Sequence, residues 1–296
     1  MIARSRLLQI QSLARQQLID RGRMTLPVGP KDFAREIDIV VEPFSSTRSD
    51  VSGFLMQQGS SFMIGYSTAI RNEGFENFTV AHELGHYFID DHPLAVLSTG
   101  KHFSRAGYIS KDRFEQEADA FATEFLMPWK LIEPIISGNT GGFRTIQAIA
   151  QNCESSIVAS AIRYTQVTRE CVAVVVSHSG VVEFMTASAA FKEIRGLDWL
   201  RKKDSLPTNV LSARFSTQLD WIRAGETAED SGRLQRWFPE VRDREVQEDI
   251  VGLGSYERLL TVLITDDPEV EGDDDEGEER DDYIDRWKQG IFRARK

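Results

Sequence analysis

Two histidines and a glutamate form the pattern His-Glu-x-x-His at His82, Glu83 and His86. They lie in an apolar stretch whose periodicity predicts a helix. Residues four apart lie on one face of a helix, so both imidazoles could ligate a single Zn²⁺. Glu83 would stand beside them, placed to act on water at the metal. The alternative is an accidental spacing, with both histidines satisfied in a helical core.

A third ligand, Glu115, is predicted on a second helix further along the chain. Apolar residues recur at helical spacing from Phe114 to Met127, and Glu115 lies at the edge of that apolar face. Two histidines and one glutamate leave the fourth position of a zinc ion open, which is the arrangement of catalytic rather than structural sites. The competing interpretation is a surface helix whose acidic residues form salt bridges.

Two more acidic residues of this second helix receive separate predictions. Asp119 lies one turn after Glu115 and is a natural acceptor for a ring N–H of a ligating histidine, which we expect to be His82. Glu117 points roughly 200° away from Glu115 around the helix. We therefore expect Glu117 to face solvent and to take no part in metal binding.

With these residues, the chain resembles the ImmA/IrrE family of zinc metallo-endopeptidases. The matching segments are Phe-Thr-Val-Ala-His-Glu-Leu-Gly-His-Tyr at 78–87 and Glu-x-x-Ala-Asp-x-Phe-Ala-x-x-Phe-Leu-Met-Pro at 115–128, with Leu26-Pro27-Val28 and 33–39 upstream. The resemblance is strong over residues 8–135 and weaker beyond. It implies a gluzincin-like peptidase. It also implies a substrate class, because several members inactivate helix-turn-helix repressors.

The expected fold class is α+β, with four successive segments. Residues 1–135 are predicted to form the zinc metallopeptidase domain from helices and a small sheet. Residues 136–168 are predicted to form a helix-turn-helix-like segment, and 169–265 a separate C-terminal α+β domain. Analogy with one family member suggests that this third segment senses a small ligand. Residues 266–296 are expected to be a disordered acidic linker and a terminal helix.

Within the first segment, periodicity predicts helices over 5–22 and 31–37, a strand over 37–44 and a hairpin over 52–66. Gluzincins bind an extended substrate as an added strand along a sheet edge. We place that edge, as a hypothesis, on the strand at 62–66. The alternative is that this hairpin belongs only to the core.

The connection between the two metal-binding helices, 87–113, is too long for an ordinary loop and is typical of a functional lid. A peptidase also needs a donor for the oxyanion that develops at the scissile carbonyl. Tyr87, His102 and Tyr108 are candidates, and the sequence does not choose among them.

Residues 143–165 contain two apolar-periodic segments, with Ser155 or Ser156 as the expected cap of the second. The presumed reading helix carries Arg163 as its single base. This favours a structural or partner-docking role over DNA binding. Further along, the β-branched runs at 171–177, 181–186 and 258–265 predict strands.

Composition indicates a soluble, globular, cytoplasmic protein. The 296 residues are 41% hydrophobic, and neither a secretory signal nor a run of about 20 apolar residues is found. Cys153 and Cys171 lack metal-binding spacing and are expected to be buried thiols. The net charge is −11, but residues 266–279 contain 10 acidic and no basic residues, so the remainder is nearly neutral. Such a body is unlike a nonspecific DNA-binding protein.

The favoured function is zinc-dependent endopeptidase activity, with His82, His86 and Glu115 as ligands and Glu83 as the general base. The expected substrate is a helix-turn-helix repressor or antitoxin-like partner. One alternative is a non-proteolytic regulator that binds a repressor or DNA stoichiometrically. Another is one half of a toxin–antitoxin pair. Glu83 favours catalysis, because binding alone does not need that glutamate.

Overall fold

The computed structural model places the two metal-binding motifs in a helical and sheet domain followed by a second sheet. It describes residues 3–45, 51–69, 72–97, 100–105, 112–139 and 141–266. Tyr108 and the predicted terminal helix lie outside the described residues, as does the acidic stretch after Asp266. The α+β class is confirmed.

The first sheet has four strands: β1 (Ile39–Phe44), β2 (Val51–Gln58), β3 (Ser61–Ser67) and β4 (Lys101–Arg105). Their order is β1-β3-β2-β4, with β1 parallel to β3 and the other pairs antiparallel. The predicted hairpin is confirmed as β2 and β3. It turns at Gly59, whose φ of 63° is a conformation that glycine adopts without strain.

The hypothesis that the strand at 62–66 forms the sheet edge was wrong. β3 lies in the interior of the sheet, because β1 pairs with one side of it and β2 with the other. The edges are β1 and β4. β4 lies in the long connection that follows the His-Glu-x-x-His motif. Its sequence is short and did not predict a strand.

Helix α1 (Arg4–Asp20) and helix α2 (Pro30–Glu36) confirm the two helices predicted near the start of the chain. Helix α3 (Glu73–Phe88) carries the His-Glu-x-x-His motif and begins where the Asn72 side chain accepts a hydrogen bond from the N–H of Phe75. The short helix α4 (His92–Val96) follows it.

Helix α5 (Arg113–Leu126) carries Glu115 and begins where Asp112 accepts a hydrogen bond from the N–H of Phe114. It packs against α3 on one side and against α1 on another. α3 in turn lies between α5 and the first sheet. Both metal-binding helices are therefore interior elements.

Helices α6 (Trp129–Ser137), α7 (Gly142–Cys153) and α8 (Ile157–Val167) connect the two sheets. The cap of α8 is Ser156, whose hydroxyl accepts a hydrogen bond from the N–H of Ala159. Arg163 of α8 is 2% exposed and donates hydrogen bonds to the carboxylate of Glu124 and the carbonyl of Met127. The single base of the presumed reading helix is thus buried.

The second sheet is antiparallel and has the order β6-β5-β9-β8-β7. Its strands are β5 (Cys171–His178), β6 (Val181–Ala187), β7 (Thr227–Arg233), β8 (Glu245–Gly252) and β9 (Arg258–Thr265). Three of them confirm sequence predictions. β7 and β8 were missed because their sequences are rich in polar residues and carry little of the β-branched signal.

Short helices α9 (Ala189–Lys192), α10 (Leu211–Phe215) and α11 (Leu219–Ala224) accompany this second sheet. One face of β5 packs into a core that continues through α7 and α8 to the first domain. The other face packs into a separate cluster that contains Phe191, Trp237 and Phe238. A separate C-terminal sheet domain is therefore present, and it shares part of its core with the first domain.

Cys153 and Cys171 are both buried, as predicted. Among the described helices, none combines the length and the apolar character needed to cross a lipid bilayer.

Glu124 of α5 connects three helices through buried ion pairs. Its Oε1 lies 2.8 Å from Arg15 Nη1 of α1, and its Oε2 pairs with Arg163 of α8. Its Oε1 also accepts a hydrogen bond from the N–H of Trp129 at 3.3 Å. Since Glu124 is only 1% exposed, its charge depends on these partners.

We predict that Glu124→Gln lowers the free energy of unfolding by roughly 3 kcal/mol, because buried Arg163 loses its charged partner. Chemical denaturation followed by circular dichroism measures this change. Arg223→Gln, which breaks an exposed pair with Glu257, is the control and should cost less than about 1 kcal/mol. Similar small effects of both substitutions would contradict the prediction.

Candidate metal centre

The structure brings the three predicted ligands together. The Nε2 atoms of His82 and His86 lie 3.1 Å apart. The carboxylate of Glu115 places one oxygen 3.4 Å from His82 Nε2 and the other 3.4 Å from His86 Nε2. Ligand atoms at about 2.0–2.1 Å from a tetrahedral zinc ion lie roughly 3.3–3.4 Å from one another. The three residues therefore form a group that could hold a metal ion.

A close approach of two helices produces this grouping. A Cβ atom at Gly85 would lie 3.0 Å from the Cα of Ala118 and 3.2 Å from the Cβ of Phe121. The absence of a side chain at Gly85 thus lets α3 and α5 pack closely. Ala118 lies one turn after Glu115, so the same contact carries Glu115 to the two histidines.

Asp119 lies beside a ring nitrogen of His82, where the sequence analysis expected it. Its Oδ1 lies 2.8 Å from Nδ1 of His82. A hydrogen bond there puts the proton on Nδ1 and leaves Nε2 with a lone pair directed to the proposed metal position. Asp119 also lies on α5, so one helix supplies a ligand and the acceptor behind another ligand.

Glu83 is fully buried, and both oxygens of its carboxylate lack a hydrogen-bond partner among the described residues. Gly53 of β2 covers it so closely that a Cβ atom there would lie 3.0 Å from Oε1. Burial raises the pKa of Glu83 to about 6, although the charge of His82 acts in the opposite direction. A buried carboxylate without a partner is costly. Its presence fits a group whose partner comes with the metal and substrate.

The surroundings shift the pKa values of the three candidate ligands in different directions. Burial acts to lower the pKa of His82, but hydrogen bonds to Asp119 and Glu115 outweigh it and raise the pKa. Burial lowers the pKa of His86 to about 3, although its contact with Glu115 acts in the opposite direction. Burial would also raise the pKa of Glu115. Its contacts with His102 and with the two other histidines hold the pKa of Glu115 far below its usual range instead.

His102 is the candidate oxyanion donor that the structure brings to the site. It lies on the edge strand β4, with Nε2 3.0 Å from Glu115 Oε1 and its ring centroid 4.5 Å from that of His86. Tyr87 packs its ring against Phe62 and Phe88 instead. The sequence signal for His102 was only its position in a long connection.

The prediction that Glu117 faces solvent was wrong. Glu117 is completely buried, with Arg6 Nη2 at 2.7 Å from Oε2 and Arg113 Nε at 2.5 Å from Oε1. The angle expected between Glu115 and Glu117 around α5 was correct, but α1 covers the side of α5 on which Glu117 lies. Burial would raise the pKa of Glu117, yet the hydrogen bonds from Arg6 and Arg113 lower it to about 2.

His92 also lies beside the candidate ligands, although the sequence analysis assigned it no role. It is fully buried, and it lies between His86 and Glu117. Asp91, His92 and Glu117 also have a geometry compatible with a metal ion. Arg6 and Arg113 already pair with both carboxylates, so this group is an ion-pair cluster.

The sheet, the two packed helices and this donor group define a metallopeptidase-type domain. Residues 34–163 match the family model Peptidase_M78, described as the IrrE N-terminal-like domain. The resemblance inferred from the two motifs is thereby confirmed. The match covers less than half of the chain and leaves out α1 and the second sheet.

One solved structure extends the likeness beyond the matched domain. A Mycobacterium tuberculosis protein described as a transcriptional regulator has a TM-score of 0.55 with 13% sequence identity. The alignment covers 87% of this chain and 88% of that protein. At this identity the likeness shows the fold alone. No curated protein sequence matches the chain.

We predict one metal ion per chain and a loss of more than about tenfold in occupancy for Glu115→Gln, because an amide is a much poorer ligand than a carboxylate. Elemental analysis of protein purified with added Zn²⁺ measures occupancy. Glu124→Gln, the same substitution on the same helix, should keep the metal. Full occupancy in Glu115→Gln would contradict the assignment.

Proposed function

We propose that this protein is a zinc-dependent endopeptidase that acts on a regulatory protein substrate in the cytoplasm. The observation that carries this proposal is the buried, unpartnered carboxylate of Glu83 beside His82, His86 and Glu115. A protein that only bound metal for stability would gain nothing from such a group, because its burial costs free energy. A peptidase needs it as the base.

His82, His86 and Glu115 would hold the Zn²⁺. When bound, zinc supplies the Lewis acidity that polarises the scissile carbonyl and lowers the pKa of a water molecule to about 7. Glu83 accepts a proton from the attacking water at its carboxylate and later donates a proton to the leaving amine nitrogen. Burial, which raises the pKa of Glu83, makes its carboxylate a better proton acceptor.

The edge strand β4 is suited to position an extended peptide. Its partner on one side is β2, and no strand pairs with its other side in the part of the chain that the structure describes. His102 of β4 contacts Glu115, and Ser104 pairs opposite Gly53, which covers Glu83. A peptide that added to this edge would run past the base and the ligands, with backbone hydrogen bonds providing affinity.

The proposed substrate is a helix-turn-helix repressor or an antitoxin-like partner. The IrrE-like domain supports this class, and the Mycobacterium tuberculosis protein of similar fold is described as a transcriptional regulator. Direct DNA binding by this chain is not favoured, since Arg163 is buried in an ion pair with Glu124. Helices α7 and α8 would instead serve a structural or docking role.

A second candidate function is stoichiometric regulation, in which the protein sequesters a repressor without cutting it. The extended C-terminal sheet domain and the description of the structural neighbour as a regulator favour this candidate. Glu83 separates the two functions, since only cleavage requires its carboxylate.

We predict that Glu83→Gln keeps the metal and lowers the cleavage rate by roughly 10²- to 10⁴-fold, because an amide cannot accept the proton. The assay uses a purified helix-turn-helix repressor from the same organism as the substrate. Electrophoresis and mass spectrometry of the Zn²⁺-loaded reaction detect the products. Glu229→Gln on the exposed part of β7 is the control and should cleave normally.

Cleavage by Glu83→Gln at the wild-type rate would refute the mechanism. Binding of the repressor by the Zn²⁺-loaded wild type, without any product, would favour the stoichiometric function.

A further inference from the structure

Nδ1 of His86, the ring nitrogen that faces away from the proposed metal position, contacts another imidazole. Nδ1 of His86 lies 3.0 Å from Nδ1 of His92, and Nε2 of His92 lies 3.3 Å from Oε2 of Glu117. All three side chains are fully buried. Asp119 contacts His82 directly, whereas the carboxylate of Glu117 is connected to His86 through the ring of His92.

The direction of each hydrogen bond follows from the outermost member. Arg6 and Arg113 both donate to Glu117, so its carboxylate is an acceptor only. Nε2 of His92 must then carry the proton and donate to Glu117. The remaining nitrogen of neutral His92 is an acceptor, so Nδ1 of His86 must carry a proton and donate to it.

This order of donors leaves a lone pair on Nε2 of His86. That atom is the one that lies 3.1 Å from His82 Nε2 and 3.4 Å from Glu115 Oε1. The opposite tautomer of His86 would place a proton where the metal should bind and would leave two ring acceptors facing each other at Nδ1. The chain of contacts therefore selects the tautomer that a metal ligand requires.

We propose that His92 and Glu117 are positioning residues that hold His86 in its metal-binding tautomer, with Arg6 and Arg113 fixing the carboxylate. The proposal rests on the metal centre of the proposed function. It extends the functional unit beyond the family match of 34–163, because Arg6 belongs to α1. The N-terminal helix thus supports a ligand from outside the matched domain.

A purely structural ion pair would not have this arrangement of contacts. Glu124 provides the comparison, since it is also a buried glutamate of α5 with two arginine partners. Its partners lead to α1 and α8 and its hydrogen bonds include no ligand of the metal centre. Removing either glutamate should destabilise the fold, whereas only removal of Glu117 should affect His86.

The test measures the affinity of the full chain for Zn²⁺ by competition with a chromophoric chelator. Glu117→Met and His92→Phe should each weaken binding by about 10- to 100-fold, the usual effect of losing a group that orients a ligand. Phenylalanine at 92 can keep the edge-to-face packing of that ring against Phe114. Glu124→Met, the matched control, should change the affinity less than about twofold. An unchanged affinity in His92→Phe would overturn the proposal, as would equal losses in Glu117→Met and Glu124→Met.

Nitrogen NMR of the histidine rings in metal-free protein gives a readout that is independent of metal binding. Wild type should show the Nδ1–H tautomer of His86, and His92→Phe should lose that preference while circular dichroism stays native. A wild type with the Nε2–H tautomer would overturn the proposal. If wild type binds no Zn²⁺ but shows the Nδ1–H tautomer, the proposed function fails while the positioning role stands.

Discussion

The packing of α3 against α5 is the constraint on which the metal centre depends. Gly85 brings the two helix backbones close, and Ala118 is the residue it contacts. His82 and His86 share one face of α3, and the close packing at Gly85 accompanies the approach of Glu115 of α5 to that face.

Burial of α5 creates a second requirement, which is electrostatic. The helix carries acidic residues on several sides, and it packs against α1 and α3. Glu115 is stabilised by histidines, Asp119 by His82, Glu117 by Arg6 and Arg113, and Glu124 by Arg15 and Arg163. Because buried carboxylates need such partners, the same pairs that keep the helix charged also hold α1 and α8 in place.

Glu83 is the exception among these buried acids. Its carboxylate oxygens have no hydrogen-bond partner within the described protein. The rest of the fold must therefore offset the free-energy cost of burying them. The sheet supplies part of that support, with Gly53 leaving space and the edge strand β4 placing His102 nearby. The second sheet shares a core with α7 and α8, and α8 is joined to α5 by the ion pair of Arg163 with Glu124.

Local patterns in the sequence located many of the elements and the three residues that could hold a metal ion. Helical periodicity and the His-Glu-x-x-His spacing located His82, Glu83 and His86, and the amphipathic pattern of α5 located Glu115 and Asp119. The β-branched strands β5, β6 and β9 were also recognisable. These features depend on residues close together in the chain, for which helix and strand geometry predicts the relative positions.

Only the tertiary structure decided which elements pack against each face of a helix or strand. The angular position of Glu117 on α5 was known, but α1 covers that side and pairs it with Arg6. The interior position of β3 likewise depended on its parallel pairing with β1, a strand outside the hairpin. His92 and His102 became part of the site through long-range packing. Such contacts arise between residues far apart in sequence, so the periodicity of a single segment determines its own faces and leaves their partners undetermined.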